Sequence, residues 1–155
     1  MKTPELLKFY CRSCMIGTWG ISADLNKISQ AQKAVILNEV KNYRQLNELK
    51  KSNLVEFNYP GEYANLIPVV FYDWSYHKAG IILYRMFPKD QSAKLTMKTR
   101  LNPEISYLIQ DIDANTEQTV HGNEFELCLK LGQLSAIFFI DETSIPVTST
   151  NMDER

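Results

Sequence analysis

Few side chains in this sequence suit metal or covalent chemistry, and their spacing limits what they could do. There are three cysteines, Cys11, Cys14 and Cys128, and two histidines, His77 and His121. Cys11-Arg12-Ser13-Cys14 has the spacing of half a zinc site or of a redox pair, but a tetrahedral site would have to recruit Cys128, His77 or His121 from far along the chain. A redox pair needs a helix N-terminus to lower its thiol pKa. The plainer reading is unreactive thiols in a small apolar segment, with no metal and no cofactor. An odd number of cysteines is also not a disulfide framework. Asp111-Ile112-Asp113-Ala114-Asn115 opens like a calcium loop. The glycine at the sixth position and the glutamate at the twelfth are replaced by Thr116 and Gly122, so a hairpin turn is expected instead.

Binding is the other chemistry to weigh. Phe71, Tyr72, Trp74 and Tyr76 cluster, and in an unbroken strand Tyr72, Trp74 and Tyr76 share one face. Such a face either stacks on sugar rings or packs against a neighbouring layer. Asp24, in the loop after Gly17-Thr18-Trp19-Gly20, is the acidic residue best placed for a site, and its alternative role is to cap the approach to a helix. No nucleophile elbow, phosphate loop or dinucleotide fingerprint is present. Sequence separation places no two carboxylates at the ~5–9 Å that glycoside hydrolysis requires. No catalytic residue is therefore assigned.

The elements that must position these residues fall into successive segments. Within residues 1–52, the apolar run Leu6–Tyr10 breaks at Gly17 and Gly20, and a helix follows. Ser29 with Gln32 three residues on forms a capping box, and Ile36, Val40, Tyr43, Leu46 and Leu49 draw an apolar stripe along about twenty residues. Residues 53–65, entered at Ser52-Asn53 and with Asn58-Tyr59-Pro60-Gly61 within, read as a linker. Residues 66–141 read as a mainly β, antiparallel Greek-key-type sandwich of about seven strands: 67–76, 80–87, 93–101, 105–112, 116–121, 125–131 and 135–140. Leu95, Met97 and Thr99 alternate with Lys94, Thr96 and Lys98, giving that strand one dry and one wet face. Ala136–Ile140 is apolar throughout and is expected at the centre of a sheet. Residues 142–155 are polar, lack periodicity and are expected to be disordered.

Bulk properties narrow the function classes. The 155 residues are 45% hydrophobic and 23% charged, as in ordinary globular proteins, and the formal net charge is −1. That near-neutrality argues against a dedicated nucleic-acid binder. No stretch has the ~20 apolar residues of a membrane span and no secretory leader precedes Leu6, which gives a cytoplasmic location by default.

The order of pieces carries a resemblance. A short strand-like segment, Gly17–Leu25, runs into a helix, followed by a β region containing Phe71-Tyr72-Asp73-Trp74-Ser75-Tyr76, Gly80-Ile81-Ile82-Leu83-Tyr84-Arg85, Leu101-Asn102-Pro103-Glu104-Ile105-Ser106-Tyr107 and Asp111-Ile112-Asp113. From about Met15 to Ile140 this resembles the C-terminal end of an α-galactosidase-type glycoside hydrolase of family 36, or of the related family 27. The resemblance implies that residues 1–52 are the last βα unit of a catalytic (β/α) barrel and that the β-sandwich behind them braces it. It also implies that the catalytic aspartates lie on earlier barrel strands, outside this chain, so that the chain alone hydrolyses nothing. The partner it implies is that barrel, in the same or a neighbouring polypeptide, with Trp19 and Asp24 at the rim of its active site. On this reading the first fifty residues expose an orphan apolar stripe, unless a chain-swapped homo-oligomer hides it. Two alternatives stand beside it. One is an independent carbohydrate-binding module using Tyr72, Trp74 and Tyr76 to hold an oligosaccharide, and the other is a ligand-free protein-interaction sandwich.

Overall fold

The computed structural model describes residues 3–22, 24–57, 65–86 and 92–144. Its first element is a helix, α1 (Pro4–Cys14), where the sequence suggested only an apolar run. The start signals are complete: Thr3 Oγ1 accepts from the Leu6 N–H at 3.3 Å, Pro4 stands at the first helical position and Glu5 lies in the first turn. The second helix, α2 (Gln30–Lys50), begins at the expected capping box. Ser29 Oγ accepts from Gln32 N at 3.1 Å, and Gln32 Oε1 accepts from Ser29 N at 3.0 Å. Between the helices, Gly17–Leu25 is not a strand. Its described residues form an exposed connection ending in a short 3-10 turn, Leu25–Lys27. No neighbouring strand takes up its backbone groups, so the expected strand-like entry to α2 is replaced by loop.

Eight strands follow: β1 (Leu54–Phe57), β2 (Leu66–Tyr72), β3 (Lys78–Arg85), β4 (Ala93–Lys98), β5 (Ser106–Asp111), β6 (Thr116–His121), β7 (Glu124–Leu129) and β8 (Ser135–Glu142). A six-stranded antiparallel sheet has the order β1-β2-β3-β8-β5-β6, and β4 pairs with β7 in a second sheet. From β5 the chain makes a hairpin to β6, crosses to β7, and returns as β8 beside β5, which is the Greek-key path. The expected sandwich is thus present, with one more strand and one more helix than anticipated. The extra strand, β1, lies within the segment read as linker and pairs with β2 from Leu54↔Tyr72 to Phe57↔Val69. At the other end β8 runs through Glu142, and Thr143 N donates to Ser106 O at 3.0 Å. Residues 145–155 of the expected disordered tail lie outside the described residues.

The large sheet is covered on both faces, which explains why β2, β3 and β8 are apolar nearly throughout. Alternate residues separate into two cores. Val70, Tyr72, Ile81, Leu83, Phe138 and Ile140 face the β4–β7 sheet. Val69, Phe71, Ile82, Tyr84, Ile137 and Phe139 face the helices, where they meet Cys11, Met15 and Leu46. Full burial of Leu46 alone removes enough apolar surface to contribute about 1.5–3 kcal/mol. The approach of α2 to β3 is close at Gly80, where an added Cβ would sit 2.7 Å from Leu46 Cδ2 and 3.0 Å from Leu49 Cδ1.

This packing corrects the expectation of an orphan apolar stripe on the first fifty residues. Ile36, Tyr43, Leu46 and Leu49 of the stripe are seated on the large sheet. The sheet offered a second apolar face, and the stripe buries itself there. Among the described residues no helix is long and apolar enough to cross a membrane.

Candidate functional site

The densest polar cluster is one the sequence did not reveal. Arg12, on α1, is fully buried, and its guanidinium spans three elements. Nε and Nη2 donate to the two Glu39 carboxylate oxygens of α2 at 3.0 and 2.9 Å. Nη1 and Nη2 donate to Asp113, in the β5–β6 turn, at 2.9 and 2.7 Å. Nη1 also reaches Ser135 O at 3.1 Å and Ser135 Oγ at 3.2 Å, at the start of β8. Burial opposes the guanidinium charge, but its hydrogen bonds to Asp113 and Glu39 outweigh it and hold the Arg12 pKa above its ordinary value. Lys8 Nζ, 3.5 Å from Asp113 Oδ1 and 3.3 Å from Glu5 Oε1, adds a second cation at the edge of the cluster, beside the two carboxylates that Arg12 holds. With both carboxylates engaged in this way, neither is available as an acid, base or nucleophile. The cluster is a clamp joining α1, α2 and the sheet.

The acidic turn behaves as its sequence suggested. Asp111 Oδ1 accepts from the backbone N–H groups of Asp113 and Ala114, both at 3.0 Å, and Asn115 takes a positive φ of 52°. The cysteines do not make a redox site. Cys11 and Cys14 lie at the C-terminal end of α1, where the helix dipole disfavours a thiolate, and Cys128 lies on β7. Burial, together with the nearby Glu39, pushes the Cys11 thiol up to about 11. The histidines have partners of their own. His77 Nδ1 lies 3.1 Å from Glu142 and His121 Nδ1 lies 3.1 Å from Ser106 Oγ. Among the described residues no three His, Cys, Asp or Glu side chains converge as metal ligands.

The residues singled out for sugar binding are dispersed. Tyr72 is in the core at 1% exposure, its hydroxyl accepting from Arg100 N at 3.1 Å, and burial pushes its pKa up to about 12. Tyr76 is half-buried and leans on Tyr72 at 5.2 Å between ring centroids. Trp74 projects into solvent at 71% exposure. They do not share a strand face because β2 ends at Tyr72. Asp73 ends it: its carboxylate accepts from His77 N at 2.8 Å, Lys78 N at 3.0 Å and Ser75 Oγ at 2.6 Å, folding 73–77 into a turn in which Tyr76 has φ 55°. Partial burial works against the Asp73 charge, but these bonds prevail and lower its pKa. Trp19 lies on the opposite face of the large sheet. It packs edge-on against Tyr43 of α2 at 5.6 Å, and its backbone N–H reaches the Tyr43 hydroxyl at 3.4 Å. Asp24 is exposed and caps the 3-10 turn through Asn26 N at 3.0 Å. The structure therefore brings Tyr72 and Tyr76 together and leaves Trp19, Asp24 and Trp74 apart from them.

Several depressions mark the surface. A cleft of about 430 Å³ opens between the β5–β6 hairpin and β7, with Ile109, Phe125 and Phe138 beneath a rim that includes Glu117, Glu124 and Lys130. A shallower groove of about 300 Å³ lies on the helical side, between Trp19, Gly20 and Ile21 and the α2 residues Val40, Tyr43 and Arg44. The wall of the first also carries Asp111, Glu126 and Cys128.

No protein-family model matches the sequence, and no curated protein matches it. Comparison with solved structures does find the fold. The family 36 α-galactosidase AgaB of Geobacillus stearothermophilus matches with a TM-score of 0.70 at 14% identity, over 92% of this chain and 20% of its own. α-Galactosidase I of Mortierella vinacea matches at 0.63 and 14%, over 91% of this chain and 36% of its own. A Bacillus halodurans protein described as an α-N-acetylgalactosaminidase matches at 0.61 and 15%, over 90% of this chain and 31% of its own. The chain therefore has the fold of one part of an α-galactosidase-type glycoside hydrolase, helices and sheets together, and spans between a fifth and about a third of the length of these three proteins.

Proposed function

We propose that this chain is the C-terminal, non-catalytic portion of an α-galactosidase-like glycoside hydrolase, and that it braces a catalytic barrel carried by the same or a neighbouring polypeptide. The observation that carries this reading is the asymmetry of the structural match, which takes in 92% of this chain but only 20% of the family 36 enzyme. The chemistry of the chain agrees with it. Its most enclosed carboxylate pair, Glu39 and Asp113, is held by Arg12 and so is not free to act as the acid and nucleophile that retaining glycosidases use. In this role the sandwich supplies a stiff, two-sided sheet, and the helical layer lies between that sheet and the barrel.

Two measurements test the reading. The purified chain should give no turnover of p-nitrophenyl α-galactoside above the blank, and turnover would overturn the non-catalytic assignment. An affinity tag added to this sequence at its gene in the source cells should recover α-galactosidase activity. Recovery of a tagged species with no such activity would overturn the assignment to this enzyme class.

A further inference from the structure

Charge is divided between the layers. Residues 1–51 hold nine Lys and Arg against four Asp and Glu, while residues 52–155 hold eight against fourteen, so a helical part of +5 sits on a sandwich part of −6. The basic excess is displayed on one stripe of α2. Lys33, Leu37, Lys41 and Arg44 follow at spacings of four, four and three, with Val40 beside them, and so share a helix face. This face is turned away from the residues that α2 buries, Glu39, Asn42 and Leu46. Leu37 is 64% exposed, and further along α2 Val40, Tyr43 and Arg44 line the groove with Trp19 and Ile21. Lys33, Lys41 and Arg44 make no ion pair among the described residues, whereas Lys51 pairs with Glu48 at 2.7 Å and Lys27 approaches Asp24 at 3.8 Å. The groove is also held in shape. Lys50 Nζ donates to Met15 O and Gly17 O, both at 2.6 Å, and lies 5.3 Å from the centre of the Tyr43 ring.

We infer that this face, Leu37 and Val40 ringed by Lys33, Lys41 and Arg44, is where the catalytic barrel docks, and that the barrel surface meeting it is apolar at its centre and bordered by carboxylates. The inference rests on the function proposed above and adds the face and the chemistry of its partner. Charge complementarity selects the partner: three unpaired cations around an apolar centre repel another basic surface and attract an acidic one. An anionic bilayer is a poorer fit. The main apolar stripe of α2 is already buried on the sheet, and three cations contribute only about 1 kcal/mol each at a membrane surface.

Lysine footprinting with N-hydroxysuccinimidyl acetate separates the outcomes. Acetylation is compared between the isolated 155-residue chain and the tagged species recovered from source cells. Lys33 and Lys41 should react at least fivefold more slowly in the recovered species, while Lys94 and Lys98 on the far sheet keep their rates. The triple variant K33E/K41E/R44E, with Lys41 and Arg44 exposed and Lys33 half-buried, should lose that protection. If α-galactosidase activity is recovered but Lys33 and Lys41 stay fully reactive, the docking face is wrong while the proposed function stands. If no activity is recovered, the proposed function fails and this inference with it. Equal protection of the isolated chain by phosphatidylserine vesicles, or by raising its own concentration, would overturn the barrel as the occupant.

Discussion

Replacing Arg12 by Met tests the clamp at its centre. The variant keeps an unbranched apolar stem in the same space and deletes the guanidinium. The consequences for its two carboxylate partners differ. Asp113 keeps the Ile137 N–H at 3.3 Å and Lys8 at 3.5 Å, and its side chain is 10% exposed. Glu39 is fully buried and keeps only Asn42 Nδ2 at 3.4 Å. The cost therefore concentrates on an uncompensated charge in the interior at Glu39. Breaking a buried pair from one side costs about 3–5 kcal/mol. Against a total stability of about 5–15 kcal/mol this is a large fraction. At 2–4 °C per kcal/mol for a chain of this size, it lowers Tm by roughly 6–20 °C. Urea titration followed by far-ultraviolet circular dichroism reads it as a lower midpoint at unchanged slope. The double variant R12M/E39L removes both charges and should recover most of the loss, because an apolar replacement of a buried pair is close to neutral. An R12M variant within 1 kcal/mol of wild type, or a double variant no better than R12M, would refute the assignment of the cost to a stranded Glu39.

Three further predictions use other parts of the fold. Gly80→Ala should destabilise by about 1–2 kcal/mol, because the new methyl meets the packed Leu46 and Leu49 side chains where α2 crosses β3; an unchanged urea midpoint would show that the helix sits less tightly there. In native protein at pH 8 a thiol reagent should modify Cys14 and Cys128 and spare Cys11, which burial and a pKa of about 11 protect until urea is added; three rapid modifications would contradict the packing of α1. Asp73→Asn should cost stability in a pH-dependent way. The folded-state pKa of Asp73 is depressed, so its contribution is present above the unfolded-state value of about 3.9 and is lost as pH falls through the folded value. The stability gap between wild type and D73N should therefore be open at pH 7 and close in acid, and a gap independent of pH would refute the role of the Asp73 charge.

How far the sequence could be read follows the range of the forces involved. β8 was legible as a central strand because Ala136–Ile140 is apolar on both faces, and it lies between β3 and β5. β4 was legible from its alternation, and α2 from the reciprocal Ser29–Gln32 bonds, which span three residues. α1 carried a local signal too, Thr3-Pro4-Glu5, but its apolar run is too short to display a helical period, and the helix is supported by packing on α2 and β8. β1 is four residues long and becomes a strand only by pairing with β2. The aromatic cluster misled because Asp73 takes the backbone N–H groups of residues four and five positions ahead and ends the strand, turning Trp74 away from Tyr72. The Arg12 clamp was out of reach for a different reason. Its partners lie 27 and 101 residues away, and nothing local to Cys11-Arg12-Ser13 announces them.

The clamp and the proposed docking face lie on different sides of the same helix, and that arrangement has a consequence for binding. Glu39, held by Arg12, points inward from α2 one residue before Val40 and two before Lys41, which belong to the outward face. A partner docking on that face meets a helix already fixed to α1 and to the sheet, so association spends little on ordering the surface. Loosening the clamp should therefore weaken docking without touching a single contact residue. In R12M under conditions where the chain remains folded, the protection of Lys33 and Lys41 in the recovered species should fall. In Trp74→Ala, a change to a side chain that stands in solvent at the far hairpin, it should stay as it is in wild type. Equal protection in both variants would show that the helix face does not depend on the clamp behind it.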